Sequence, residues 1–218
     1  MAGDLLSYAL LSISSMMIIV NPLAATLTFV SLTTGLDEAA KQRIARNSSR
    51  YALFILLAFT FLGGIILQLF GITLDAFRIG GGILLFGIGM EMVYARTSRT
   101  KLTATEKYES IDTEEISMMP LAIPMIAGPG AITTTIVLMN ESVGDYSRIA
   151  IVVASVLITI LLTYLAMKRS DWIVKRIGQK EFRAINRLMG MLLIAIAVQF
   201  VINGLLGAFP LLAGQPGT

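Results

Sequence analysis

The apolar positions of this chain gather into long, nearly unbroken runs separated by short polar stretches. A helix needs about 20 mainly apolar residues to cross a bilayer. Six segments meet or approach that length: Leu5 to Thr34, Tyr51 to Phe70, Ala76 to Tyr94, Met118 to Met139, Arg148 to Met167 and Leu188 to Ala208. The pattern predicts an all-α membrane protein of six transmembrane helices, a single domain over residues 1–218 with a polar linker at 95–117. Met1 to Asp4 lacks the basic stretch of a signal peptide and leads into an apolar run too long for one, so the first run is expected to be a retained span.

Two of the six runs are interrupted. Pro22 has no N–H, and its ring clashes with the carbonyl of Ile18, so the first helix must kink or restart there. Asn21 suits an N-cap and Pro22 the first helical position, which predicts a half-helix starting inside the membrane. Gly128-Pro129 repeats the device in the fourth run, and Gly130 is expected to leave room for a ligand or another backbone. Each restart would present the positive end of a helix dipole, which suits a carboxylate. Carbonyls freed near Ile18, Ile19, Ile126 and Ala127 would suit an ammonium group.

The two breaks occupy equivalent places in an internal repeat. Laying Pro22 on Pro129, an offset of 107, also pairs Ala24 with Ala131, Thr26 with Thr133, Thr28 with Thr135 and Val30 with Val137. A second match, Arg78-Ile79-Gly80-Gly81 onward with Arg187-Leu188-Met189-Gly190 onward, falls at an offset of 109. Each half holds three spans, an odd number, so the second copy must enter from the opposite face. The expected architecture is two inverted three-helix repeats, about 1–94 and about 118–208, with helices 1 and 4 broken. Matched breaks in inverted halves mark a binding site at the repeat interface.

The candidate substrate-binding residues are Asn21, Pro22, Ala24, Thr26, Gly128, Pro129, Gly130 and Thr133, with Thr134 and Thr135 close by. Gln199 and Asn203, four apart on the sixth helix, are added because both can point inward, for substrate contact or interhelical hydrogen bonding. Glu91 is the one carboxylate well inside a span and the candidate coupling residue, one turn from the helix end. Gly80 with Gly87, and Gly82 with Gly89, read as rows for close helix packing. Pro120 and Pro124 are expected to shape the entry to the fourth span.

Composition narrows the function. Hydrophobic residues make up 56% of the chain and charged ones 14%, against about 25% charged in soluble domains. With no Cys and no His there is no disulfide, no thiolate and no imidazole ligand or base, so neither a metal nor a cofactor is expected. An enzyme is not expected either, since a nucleophile with its base or a metal cluster would be needed, and the chain has no His, no Cys and no Gly-x-Ser-x-Gly motif. The net charge of +3 sits in loops, and no nucleic-acid partner is implied. Fifteen Lys and Arg fall in loops one–two, three–four and five–six, while Arg78 and Arg148 alone fall on the other side. The positive-inside rule then makes this a multi-pass protein of the cell (cytoplasmic/inner) membrane with both termini extracytoplasmic.

Asn21-Pro22 in the first span, Ala127-Gly128-Pro129-Gly130 in the fourth, and Arg187-Leu188-Met189-Gly190 followed by Gln199-Phe200-Val201-Ile202-Asn203-Gly204 in the sixth resemble the MarC family of integral membrane proteins. The resemblance covers nearly the whole chain. It implies six spans and a place in the broader amino-acid exporter group; some members of the family, called SnatA, are taken to move small neutral amino acids such as glycine and alanine.

The residues themselves favour the same substrate. No Lys, Arg, Asp or Glu lies far enough from the span ends to neutralise a substrate side chain. A net-neutral, zwitterionic amino acid is therefore expected, because an unpaired charge is costly to bury. The expected activity is secondary transport of glycine, alanine or serine by alternating access around the paired broken helices, with a proton or sodium ion as coupling ion. The alternative is an amino-acid or metabolite exporter or a channel-like pore of unknown substrate.

Overall fold

The computed structural model describes residues 2–94, 113–177 and 179–209, which are helical almost throughout. In chain order the elements are α1 (Ala2–Val20), α2 (Pro22–Leu32), α3 (Glu38–Leu69), α4 (Leu74–Tyr94), the short α5 (Thr113–Ile116), an irregular segment over Ser117–Ile126, α6 (Pro129–Glu141), α7 (Tyr146–Lys168), α8 (Ser170–Ile177) and α9 (Gln179–Ala208). Most of the expected linker, with Arg96, Arg99, Lys101 and Lys107, lies outside the described residues.

Five stretches among the described residues are long and apolar enough to cross a membrane: Asp4–Val30, Glu38–Leu69, Leu74–Tyr94, Tyr146–Lys168 and Arg187–Ala208. The fourth expected span, Met118 to Met139, is not one of them, because it is divided between the irregular segment and the 13-residue α6. The cause is local. Met119 (φ −127, ψ 129) and Ile123 (φ −126, ψ 126) are extended, and each directly precedes a proline, which disfavours the helical region for the residue before it. The segment ends in a wide, π-type turn in which the Ala127 N–H reaches back to the Ala122 carbonyl (2.8 Å).

Turns and caps punctuate the rest. Gly35 (φ 87) and Gly144 (φ 90) carry left-handed backbone after α2 and α6, a conformation glycine adopts without penalty. An aspartate then caps each following helix. Asp37 accepts from the Ala40 N–H (2.8 Å) to start α3, and Asp145 accepts from the N–H groups of Ser147 (2.9 Å) and Arg148 (3.3 Å) to start α7.

Cross-links fix the directions of packing. Asp4 pairs with Arg148 (2.6 Å) at one end, and Phe29 and Met167 line a common crevice at the other, so α7 runs parallel to α1 and α2. Tyr51 donates to Glu114 (2.8 Å) and Gly63 faces Ile136, so α3 runs parallel to the stretch from α5 to α6. Lys41 pairs with Asp171 (3.3 Å), which sets α3 antiparallel to α7. These helices enclose Met16, Phe29, Ile44, Leu56, Leu121, Ile126 and Met167 as the buried core.

α4 packs chiefly on α9, antiparallel to it. A Cβ on Gly89 would stand 3.0 Å from the Gly190 carbonyl oxygen, and one on Gly190 3.0 Å from that of Gly89. Gly82 abuts the Ala197 carbonyl, and Gly204 the Asp75 carbonyl. Small residues thus let the two backbones touch. Of the expected glycine rows, Gly82 and Gly89 do this packing. Gly80 and Gly87 face open space instead.

Candidate functional site

The two helix starts lie side by side. The Tyr8 hydroxyl is bonded to the Leu138 carbonyl and to Ser142 (both 2.8 Å), and further along α1 Ile19 lies against Gly130. That antiparallel register, extended by two residues, sets Asn21 opposite Gly128. At a rise of 1.5 Å per residue, α2 and α6 run about 16 Å and about 20 Å from this point toward opposite ends of the bundle. Both N-termini therefore open near its middle, where their dipole ends add.

The starts are chemically unequal. Asn21 is buried in left-handed backbone (φ 49, ψ 75), which asparagine tolerates better than most residues, and its Oδ1 accepts from the Ala24 N–H (3.1 Å). Gly128 is extended and has no side chain to cap α6. The first backbone bond of α6 runs from the Ile132 N–H to the Gly128 carbonyl (3.0 Å). The N–H groups of Gly130 and Ala131 precede it and are the orphan donors that a helix start carries. Pro22 is buried and Pro129 exposed, while Ala24 is half-buried.

One buried face of α4 covers both breaks. Gly81 meets Thr133, Leu85 meets Gly130, and Met92 receives a long contact from the Asn21 amide (3.9 Å to sulfur). Beside Gly130 lies a side chain. The space beside that glycine is filled by Leu85, itself 1% exposed, with Ile19 behind it.

The threonines serve their own helices. Thr26 donates to the Pro22 carbonyl (2.7 Å), Thr133 to that of Pro129 (2.9 Å), Thr134 to that of Gly130 (2.9 Å) and Thr135 to that of Ile132 (2.8 Å). Pro22 and Pro129 thus share one arrangement, each carbonyl accepting from the threonine four residues on. Two further hydroxyls, of Ser12 and Thr159, are buried without a partner. Interpolating between Asp4–Arg148 and Phe29–Met167 puts the Asn21 break level with Thr159 and Thr163.

Two expected contributors lie elsewhere. Gln199 and Asn203 are exposed on α9 and bonded to each other (2.7 Å), on the side of the helix turned away from α4. Helical geometry is the reason, since Ala197 meets Gly82 and a residue two positions on points about 200° round. Glu91 is exposed in the last turn of α4. Sequence reasoning missed Gly81, Leu85 and Met92, whose spacings of four and seven put them on one helical face. It also missed Thr159, although Ser155, Thr159 and Thr163 make a buried stripe at intervals of four on α7.

Charge is kept to the ends. Arg78 pairs with Glu141 (2.6 Å) and Asp75 (3.3 Å), and Arg148 with Asp4 (2.6 Å) and Asp145 (3.5 Å), so both arginines of the less basic side are neutralised.

Comparison with known proteins agrees with this picture of an integral, multi-pass membrane protein. The profile of the MarC family of integral membrane proteins matches residues 6–209. A UPF0056 membrane protein of Methanocaldococcus jannaschii is 40% identical over 93% of this chain and 98% of its own length. The UPF0056 membrane protein YvbG of Bacillus subtilis is 38% identical over 91% and 94%. YhcE of Escherichia coli is 35% identical over 88% and 89%. No solved structure matches the chain. The chain belongs to the MarC family of integral membrane proteins.

Proposed function

We propose that this protein is a secondary transporter of small neutral amino acids that works by alternating access around the paired breaks. The observation that carries the reading is the meeting of two proline-started helices, running in opposite directions, on one buried face of α4. Opposed half-helix starts at the middle of a membrane bundle are the form that small-molecule sites take in many transporters. A substrate carboxylate would take the orphan N–H groups of Gly130 and Ala131, and its ammonium group the Ile18 carbonyl, to which Pro22 cannot donate. Leu85 would have to swing aside to admit it. In the described conformation the site is closed.

The reading rests on an architecture of six spans in two inverted repeats, the divided segment Ser117–Glu141 serving as the fourth span. Four features support it: the opposed directions of α1–α2 and α6, the antiparallel α4–α9 pair, the matched Pro–Thr bonds, and the Gly35–Asp37 and Gly144–Asp145 turns. The lack of any charged group at the breaks favours a net-neutral substrate. Orientation with both termini extracytoplasmic in the cell membrane follows from the loop charges, and coupling to a proton or sodium ion completes the proposal.

Proteoliposomes test it directly. Saturable glycine or alanine flux, competed by serine and not by lysine, arginine or glutamate, is the expected result. Strong inhibition by lysine or glutamate with none by glycine or alanine overturns the substrate, and flux without saturation or counterflow overturns the mechanism in favour of a pore.

A further inference from the structure

We infer that the lipid-facing side of α9 is a self-association surface, and that Gln199 and Asn203 join two copies of this chain within the membrane. The apolar part of α9 runs from Arg187 to Ala208. At 1.5 Å per residue, Gln199 lies about 18 Å from its start and about 14 Å from its end, near the middle of a hydrocarbon core about 30 Å thick. Its neighbours on the same side, Leu192, Ile202 and Leu206, are exposed as a lipid-facing surface should be. Two amides in that surface are out of place, because lipid tails offer neither donor nor acceptor.

The intrahelical bond from Gln199 Nε2 to Asn203 Oδ1 (2.7 Å) satisfies only half of the pair. Gln199 Oε1 and the Asn203 amide N–H groups remain, an acceptor and a donor a single turn apart. That set is complementary to itself. Copies inserted by the same charge rule share one orientation, so their twofold axis lies along the membrane normal and brings residue 199 to residue 199 at equal depth. Each Gln199 Oε1 then meets the second Nε2 hydrogen of its twin, which the bond to Asn203 leaves free. Ala195, exposed one turn earlier on this side, lets the two helices approach. The surface lies away from the breaks, so the inference stands whether or not the transport reading does.

The chain contains no cysteine, so every introduced thiol is unique. In native membranes, Ala195→Cys and Leu206→Cys should cross-link to dimers, while Phe54→Cys on α3 and Leu161→Cys on α7, both lipid-exposed, should not. Adding Gln199→Leu and Asn203→Leu to Ala195→Cys should lower the dimer yield about tenfold. Thermal unfolding of that variant as the dilute monomer in detergent should stay as in the parent, because both side chains are exposed in a single copy. Any one of three results overturns the inference: no dimer from residues 195 and 206, equal dimer from 54 or 161, or a dimer yield indifferent to the two leucines. Loss of glycine flux in the Gln199→Leu, Asn203→Leu variant with the dimer intact also overturns it, and returns the amides to substrate contact.

Discussion

Asn21 meets three demands at once: it follows the last turn of α1, takes a left-handed conformation and caps α2. Asn21→Ala keeps the chain but loses the cap, and should cost about 1 kcal/mol, read as a lower melting temperature of the purified protein. Asn21→Gly should cost less, since glycine accepts the backbone conformation freely. A larger loss for glycine than for alanine would contradict this account. Gly130 shows how one neighbour changes the meaning of a residue. Its missing side chain makes room for Leu85, so Gly130→Val should destabilise the fold as well as stop flux. A double-mutant cycle separates packing from ligand space. Gly130→Ala alone should destabilise by roughly 1–3 kcal/mol, and the double variant with Leu85→Ala should lose less than the sum of the two single losses. Additive losses would mean that the two residues do not share the space.

Among elements, the α4–α9 pair and the divided fourth segment behave differently under substitution. Gly89 and Gly190 bring two backbones into contact, so Gly89→Leu must push the helices apart. We expect a cost at or above the roughly 1–3 kcal/mol usual for overpacking, seen as poor yield of folded protein in detergent. Gly80→Leu and Gly87→Leu add side chains to open space on the same helix and should leave stability near the parent value. Equal damage from both pairs would mean that α4 does not meet α9 on this face. In Ser117–Ile126 the two pre-proline residues hold the chain away from regular helix. That irregularity ends where α6 begins, and it leaves the α6 start uncapped by any side chain.

For the whole molecule, the ends of the bundle differ in charge management. Arg78 and Arg148 are paired with carboxylates at one end, whereas Lys41, Arg43 and Arg46 at the start of α3 and Lys168 and Arg169 at the end of α7 stand at the other. The proposed orientation is checked with an impermeant thiol reagent on intact cells. Tyr146→Cys, at the exposed first position of α7, should label from outside. Trp172→Cys on α8 should label only after the membrane is opened. The reverse pattern would invert the molecule and with it the assignment of both termini.

The all-α membrane class was legible in the sequence because runs of about 20 apolar residues have one stable form in a bilayer, a helix that satisfies its own backbone. Asn21-Pro22 and Gly128-Pro129 were legible for a related reason. Proline removes a donor and asparagine supplies a cap whatever surrounds them, so the chemistry of the break is local. The division of the fourth segment was only half legible, since Pro120 and Pro124 announced an irregularity without saying that it would consume ten residues. What tertiary structure alone decided is facing. Gln199 and Asn203 share a helical side in any reading, but only the packing of Ala197 on Gly82 turns that side outward. Leu85 is an ordinary leucine in sequence, and it bears on the site because α4 lies across two chain breaks 107 residues apart. Local chemistry fixes where a chain must bend, and the contacts between distant helices fix what the bend will touch.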